Sequence, residues 1–233
     1  MNPFEHNIVS LLYAIKGKSE SYLEQIEENR FQNLKERSDR AEQIVKKTYL
    51  LAEEALKITK RFEMKGKPDG MHGGIGEPET AYFNLMGIWN KTVALVGGEV
   101  DMGRIDVINH IPDPFPAIEC HGRDLEEILY HVAKNAAQAV SEGGKIIVRA
   151  HVGLSRYSEQ AAFISISDTG NGIPNEHLKY VFQPFYTTKP MNEGNGMGLF
   201  LAKTLVRKNR GMISLSSFIG YGSTFTLEFP LKH

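Results

Sequence analysis

Between Gly194 and Phe200 the chain reads GNGMGLF, with glycines at 194, 196 and 198 leading straight into an amphipathic stretch over residues 197–207. Glycines so placed let backbone N–H groups and the start of a helix face a bound phosphate. No side chain blocks the approach, and the first helical N–H groups lack intrahelical partners. Both common nucleotide motifs are disfavoured. The Lys-Ser/Thr ending of a P-loop is missing, and no strand directly precedes the run as a Rossmann fingerprint requires. A phosphate-facing helix start must then be carried by some other arrangement of helices and strands.

The flanking sequence predicts that arrangement. Residues 124–140 form a helix whose apolar face is Leu125, Ile128, Leu129, Val132, Ala133, Ala136 and Val140, ended by Gly143-Gly144. Residues 145–152 and 161–167 read as neighbouring strands. Residues 212–217 and 223–229 read as a terminal hairpin turning at Gly220-Tyr-Gly222. Upstream, a helix over 81–96 and a short strand at Ile105-Asp-Val-Ile precede the proline-rich IPDPFP turn. Helices alternating with mainly antiparallel strands predict an α/β sandwich with its helices on one sheet face.

Residues 2–62 are different, poor in glycine and rich in Glu, Lys, Leu and Ile. Ile8, Leu12, Ile15, Ser19, Tyr22 and Ile26 recur at alternating spacings of three and four, as do Ile44, Thr48, Leu51, Ala55, Ile58 and Phe62. Such seams bury one narrow helix face each. The polar stretch from Glu27 to Gln32 is the expected turn of an antiparallel helical hairpin. Pairing two hairpins into a four-helix bundle, and hence a homodimer, satisfies both seams; packing on the rest of the same chain is the alternative. The Gly/Pro-rich run MKGKPDGMHGGIGEPET then reads as a linker. The fold class is thus α+β: hairpin at 1–64, linker at 65–80, α/β sandwich at 81–233.

Bulk properties narrow the function. A formal net charge of -1 gives no overall drive toward nucleic acid or an anionic membrane. Cys120 is the single cysteine, which excludes an internal disulfide and suits a reducing compartment, where it reads as a packing residue. No apolar run approaches the roughly 20 residues of a membrane helix. Met1-Asn2-Pro3 does not open a signal peptide. The expectation is a cytoplasmic chain, complete or the cytoplasmic part of a longer protein.

Four elements carry candidate chemistry. Asn135 lies in an apolar-faced helix, and its amide oxygen suits Mg²⁺ when phosphates supply other ligands; helical asparagines also simply bond at the surface. Asp168 ends a strand and opens DTGNGIP, where its carboxylate can accept a hydrogen bond from an exocyclic amine, while Gly170 and Gly172 permit close approach of a ligand. Residues 182–189, FQPFYTTK, are followed by the glycine run, and the polar stretch from Gln183 to Asn195 suits a lid over a nucleotide, with Lys189 as a mobile charge. Gly220-Tyr-Gly-Ser-Thr-Phe225 opens the last strand.

In this order the four elements resemble the ATP-binding domain of the sensor histidine kinases, part of the superfamily shared with DNA gyrase and MutL. The resemblance spans residues 105–231 and is most specific in DTGNGI, PFYTTK, GNGMGL and GSTF. It implies that ATP and Mg²⁺ bind, with Asn135 holding the metal and Asp168 reading the adenine amine. Ile173 would pack near the base, and Thr224 would support Asp168 by hydrogen bonding. Thr187, Thr188, Lys189, Gly194, Gly196, Gly198 and Leu199 would lie along the triphosphate. His131 stands where these kinases more often have Asn, and where gyrase-type clamps carry a Glu base.

The resemblance extends to Phe4-Glu-His-Asn-Ile-Val-Ser-Leu-Leu, which looks like a phosphoacceptor helix. His6 would be the acceptor, facing solvent just outside the seam. Asn7 replaces the usual acidic neighbour; an amide can orient an imidazole but cannot take its proton. Ser10 stands where Asn or Thr often positions water. The implied partners are a second copy of the chain, a response-regulator receiver domain, and a sensor domain absent from this chain or carried on a separate one. An ATP-binding scaffold without phosphotransfer and an ATP-gated clamp are the competing readings.

Overall fold

A computed structural model describes residues 84–103, 105–157, 159–189 and 196–231. The expected hairpin, the linker, Gly194 and the acceptor candidates His6, Asn7 and Ser10 lie outside those residues. The described chain runs α1 (Leu85–Gly97), β1 (Asp106–His110), α2 (Gly122–Ala139), β2 (Lys145–Leu154) and β3 (Gln160–Asp168). It continues through α3 (Asn175–Leu178), α4 (Gly198–Lys208), β4 (Met212–Phe218) and β5 (Gly222–Pro230). Helix α2 stops before the glycines expected to end it, because Val140 already has extended backbone. Gly143, at φ 79°, instead makes the turn into β2. The four-residue α3 is too short to leave a periodic signal in the sequence.

The strands form one sheet in the order β1-β2-β3-β5-β4, with β1 parallel to β2 and the other pairs antiparallel. Two-residue alternation sorts the side chains. Ile146, Val148 and Ala150 of β2 turn to the inner face with Ala162, Ile164 and Ile166 of β3. Phe225, Leu227 and Phe229 of β5 join them, and all are buried. They meet Leu125, Ile128, Leu129, Val132, Ala133 and Ala136 of α2, Ala202, Leu205 and Val206 of α4, and Leu85, Trp89 and Val96 of α1 in one core. Arg149 and His151 on the opposite parity of β2 are exposed. The helices therefore cover one face, as the alternation predicts.

A buried polar clasp sets how α2 and α4 lie together. Asp124, only 4% exposed, takes Lys208 Nζ at 2.6 Å and Asn209 Nδ2 at 3.0 Å on its Oδ2. Asn209 Oδ1 accepts from the His121 N–H at 3.0 Å. A buried carboxylate is tolerable when it is paired and hydrogen-bonded in this way. Beside the clasp Cys120 is buried and its thiol is pushed up to about 12, by desolvation first and by Asp124 second. It is a packing residue, as its isolation suggests. Among the described residues no helix is long and apolar enough to cross a membrane.

Candidate functional site

The alternation that buries Ile164 and Ile166 also turns Asp168, the last residue of β3, toward the helices, where it is 4% exposed. Its Oδ1 accepts from the Gly170 N–H at 2.9 Å and the Ser223 N–H at 3.2 Å. Its Oδ2 is buried and has no protein partner. Burial raises the carboxyl above its ordinary value, and the two N–H donors oppose that rise. A buried acceptor left unmade is costly, about 1–3 kcal/mol, unless a ligand donor fills it. The oxygen is thus shaped for one N–H of an entering molecule, and an exocyclic amine fits it.

The backbone around Asp168 is drawn in too closely for side chains. A Cβ on Gly170 would stand 2.4 Å from the Ala139 carbonyl oxygen. On Gly172, at φ 70°, it would stand 2.0 Å from the Phe218 carbonyl oxygen. Ser217, 6% exposed, ties the loop to the last hairpin. Its Oγ accepts from the Ile173 N–H at 2.8 Å, donates to Gly222 O at 3.0 Å and pairs with Ser223 Oγ at 2.9 Å. Thr224 does not support Asp168 as expected. In the β3–β5 register Asp168 faces Ser223, so Thr224 points to the other side of the sheet and bonds Ser167 Oγ at 2.9 Å. The support comes from the Ser223 backbone.

A second group of expected residues gathers along one stripe of α2. Glu127, His131 and Asn135 recur every four residues beside the buried Ile128, Val132 and Ala136, and each is half-buried. His131 Nε2 lies 3.7 Å from Glu127 Oε1, and its ring meets Tyr130 edge-on. His131 Nδ1 is 3.2 Å from where a Cβ on Gly198 would stand, so the glycine lets the start of α4 close on the histidine. Met197 precedes α4 without a side-chain cap bond, and the first N–H groups of the helix, which lack intrahelical partners, suit an anion. Leu199 packs against the core behind them.

The 182–189 stretch reaches the same helix, one turn beyond Asn135. Lys189 Nζ donates to Gln138 Oε1 of α2 at 2.7 Å, and the Lys189 N–H bonds Thr187 Oγ1 at 3.0 Å; Thr187 and Thr188 are exposed. Gly196, at φ 69°, lies so near the Phe185 and Tyr186 backbone that a Cβ would come within 2.5 Å. Two sets thus emerge: Asp168, Gly170, Gly172 and Ile173, and then His131, Asn135, Lys189, Gly196, Gly198 and Leu199. Sequence reasoning misses Ser217, and within GSTF it gives the supporting role to Thr224 where strand pairing gives it to Ser223 and Gly222. No cluster of three His, Cys, Asp or Glu suited to a metal occurs among the described residues. Any ion would need ligand oxygens beside the Asn135 amide.

Comparison with known proteins gives this geometry its context. Residues 120–233 match the family described as histidine kinase-, DNA gyrase B-, and HSP90-like ATPase. The chain is 34% identical over 149 residues to the signal transduction histidine-protein kinase AtoS of Escherichia coli (strain K12), covering 64% of this chain and 24% of AtoS. It is also 34% identical over 145 residues to the sensor histidine kinase ZraS of the same strain, covering 61% of this chain and 29% of ZraS. It therefore spans about a quarter of the length of these relatives. The nucleotide-free catalytic domain of the histidine kinase ThkA shares the fold, with a TM-score of 0.54, 24% identity, and coverage of 64% of this chain and 93% of that one. Full-length ShkA, solved in complex with AMPPNP, shares it with a TM-score of 0.55 and 20% identity, over 88% of this chain and 41% of that one.

Proposed function

We propose, for a chain whose residues 120–233 belong to the histidine kinase-, DNA gyrase B- and HSP90-like ATPase family, that it is the core of a sensor histidine kinase. It binds Mg²⁺-ATP, moves the γ-phosphoryl group to His6 and passes it to an aspartate of a response-regulator receiver domain. The observation that carries the reading is Asp168 Oδ2, a buried acceptor with two fixed N–H donors on its neighbour oxygen and none of its own. It matches the amine of adenine, and the glycines at 170 and 172 let the loop after Asp168 pack tightly on Ala139 and Phe218, which fixes the carboxylate in place. Asn135 would hold Mg²⁺ through its amide oxygen, and the ion would offset phosphate charge. Lys189 and the first N–H groups of α4 would take the remaining phosphate oxygens.

In the transfer a neutral imidazole nitrogen of His6 attacks the γ-phosphorus in line. The bond from that phosphorus to the bridging oxygen breaks, and ADP leaves. Asn7 can orient the ring but takes no proton, so the reaction relies on the imidazole being neutral before attack. We place the acceptor hairpin at 1–64, the linker at 65–80 and the ATP domain at 81–233, with the hairpins of two copies forming the dimer.

Incubation with γ-labelled ATP tests this. An acid-labile phosphoprotein is expected from the parent chain and from neither the His6→Gln nor the Asn135→Ala variant. Label that persists in His6→Gln would move the acceptor elsewhere. Nucleotide binding with no label at all would leave an ATP-binding scaffold in place of a kinase.

A further inference from the structure

Tyr186 stands at the foot of the stretch that carries Thr187, Thr188 and Lys189, and its fixing is unusual. Phe185, just before it, is buried with φ 64°, a conformation that non-glycine residues rarely hold. The Phe185 and Tyr186 backbone is pressed against Gly196, so this foot is held by that contact as well as by the burial of Phe185. The Tyr186 side chain then reaches α3, where its hydroxyl and His177 Nδ1 share a hydrogen bond. The two rings lie 5.9 Å apart, and the Tyr180 ring is 5.6 Å from that of Tyr186. Three residues later Lys189 reaches across to Gln138 on α2, one helical turn beyond Asn135.

We infer that His177 is a positioning residue: by holding Tyr186, it aims Lys189 at the phosphates of a nucleotide bound between α2 and α4. The inference rests on the nucleotide reading above and adds a part to it. The backbone clamp at Gly196 and the burial of Phe185 keep the foot in place without His177. What the hydrogen bond adds is the direction in which the next three residues leave. A residue of this kind acts on the phosphate end of the ligand and leaves the base end, read by Asp168, untouched.

The test compares MgATP with adenosine. His177→Phe keeps an aromatic ring and loses both nitrogens; Tyr186→Phe loses only the hydroxyl and serves as the milder second variant. Each is expected to weaken MgATP binding about two- to tenfold, the worth of one hydrogen bond, with adenosine affinity unchanged. In a Lys189→Ala background His177→Phe is expected to cost nothing more, because the group it aims is gone. Equal weakening of ATP and adenosine, unchanged ATP affinity, or full additivity with Lys189→Ala would each overturn the inference while leaving the nucleotide site standing. A parent chain that binds neither ligand would remove the site itself and this inference with it.

Discussion

Replacing Asp168 by Asn is expected to abolish ATP binding while leaving the ligand-free fold at least as stable as the parent. The reason is the direction of hydrogen bonding. The Gly170 and Ser223 N–H groups both donate to Oδ1, so an Asn must place its own oxygen there. Its NH₂ then occupies the position of Oδ2 and meets the adenine amine donor to donor. Losing a hydrogen bond to a charged acceptor costs about 1.5–3 kcal/mol, a factor of roughly 10–150 in affinity, before the repulsion is added. The same reversal predicts a gain. Inosine triphosphate carries a carbonyl where ATP carries the amine, so it should bind the Asn variant better than ATP does. Calorimetric titration of both nucleotides reads this directly, and an Asn variant that still binds ATP as the parent does would sink the assignment of Asp168.

The stability half of that prediction follows from linkage. The folded Asp168 carboxyl is raised above its ordinary value, chiefly by burial. The native state therefore keeps its proton to higher pH than the unfolded chain does. Its contribution is fully favourable below the ordinary carboxylate value and is lost as pH rises through the raised folded one. At neutral pH the ligand-free parent carries that loss, and the Asp168→Asn variant, with no proton to lose, does not. Denaturant titrations across the acidic range should show the parent falling relative to Asp168→Asn as pH climbs. A variant that is less stable than the parent at neutral pH would show that the orphan oxygen is satisfied in solution.

Most of the sandwich is legible because its signals are short-ranged. Ile164 to Ser167 alternates apolar and polar residues, α2 repeats its apolar residues at helical spacing, and the turns carry glycine. Asp168 is legible too, since a strand ending in Asp-Thr-Gly-Asn-Gly must present that carboxylate near a tight turn. Ser217 and Ser223 are not. Ser217 acts by bonding Ile173 in a distant loop, and Ser223 meets Asp168 through antiparallel pairing of β3 with β5, so both roles are set by residues far apart in the chain. The parity that corrects Thr224 is nevertheless written in the chain: Phe225, Leu227 and Phe229 alternate with Thr224, Thr226 and Glu228, which puts Thr224 off the core face. His177 has no local signal at all, because a four-residue helix and a tyrosine nine positions on meet only in three dimensions.

Gly222→Ala is expected to be among the most damaging single changes in the described chain, and two other glycines show why. Gly222 opens β5 at φ 95°, and a Cβ there would stand 1.9 Å from the Asp168 carbonyl oxygen. Two penalties combine. Left-handed backbone costs a non-glycine residue about 1–2 kcal/mol. Forcing atoms into closed space costs typically about 1–3 kcal/mol more. Gly143, at φ 79°, and Gly220, at φ 80°, have nothing within 4 Å of a built Cβ, so alanine there incurs only the first. Urea unfolding of the three variants should therefore give small, similar losses for Gly143→Ala and Gly220→Ala and a larger one for Gly222→Ala. The excess measures how tightly β5 is drawn against Asp168. Because the clash is with Asp168 itself, Gly222→Ala must also shift that carboxylate, so its ATP affinity should fall even under conditions where the fold survives. Equal losses at all three positions would mean that the strand start gives way freely, and that Asp168 is not held by β5 in the manner argued.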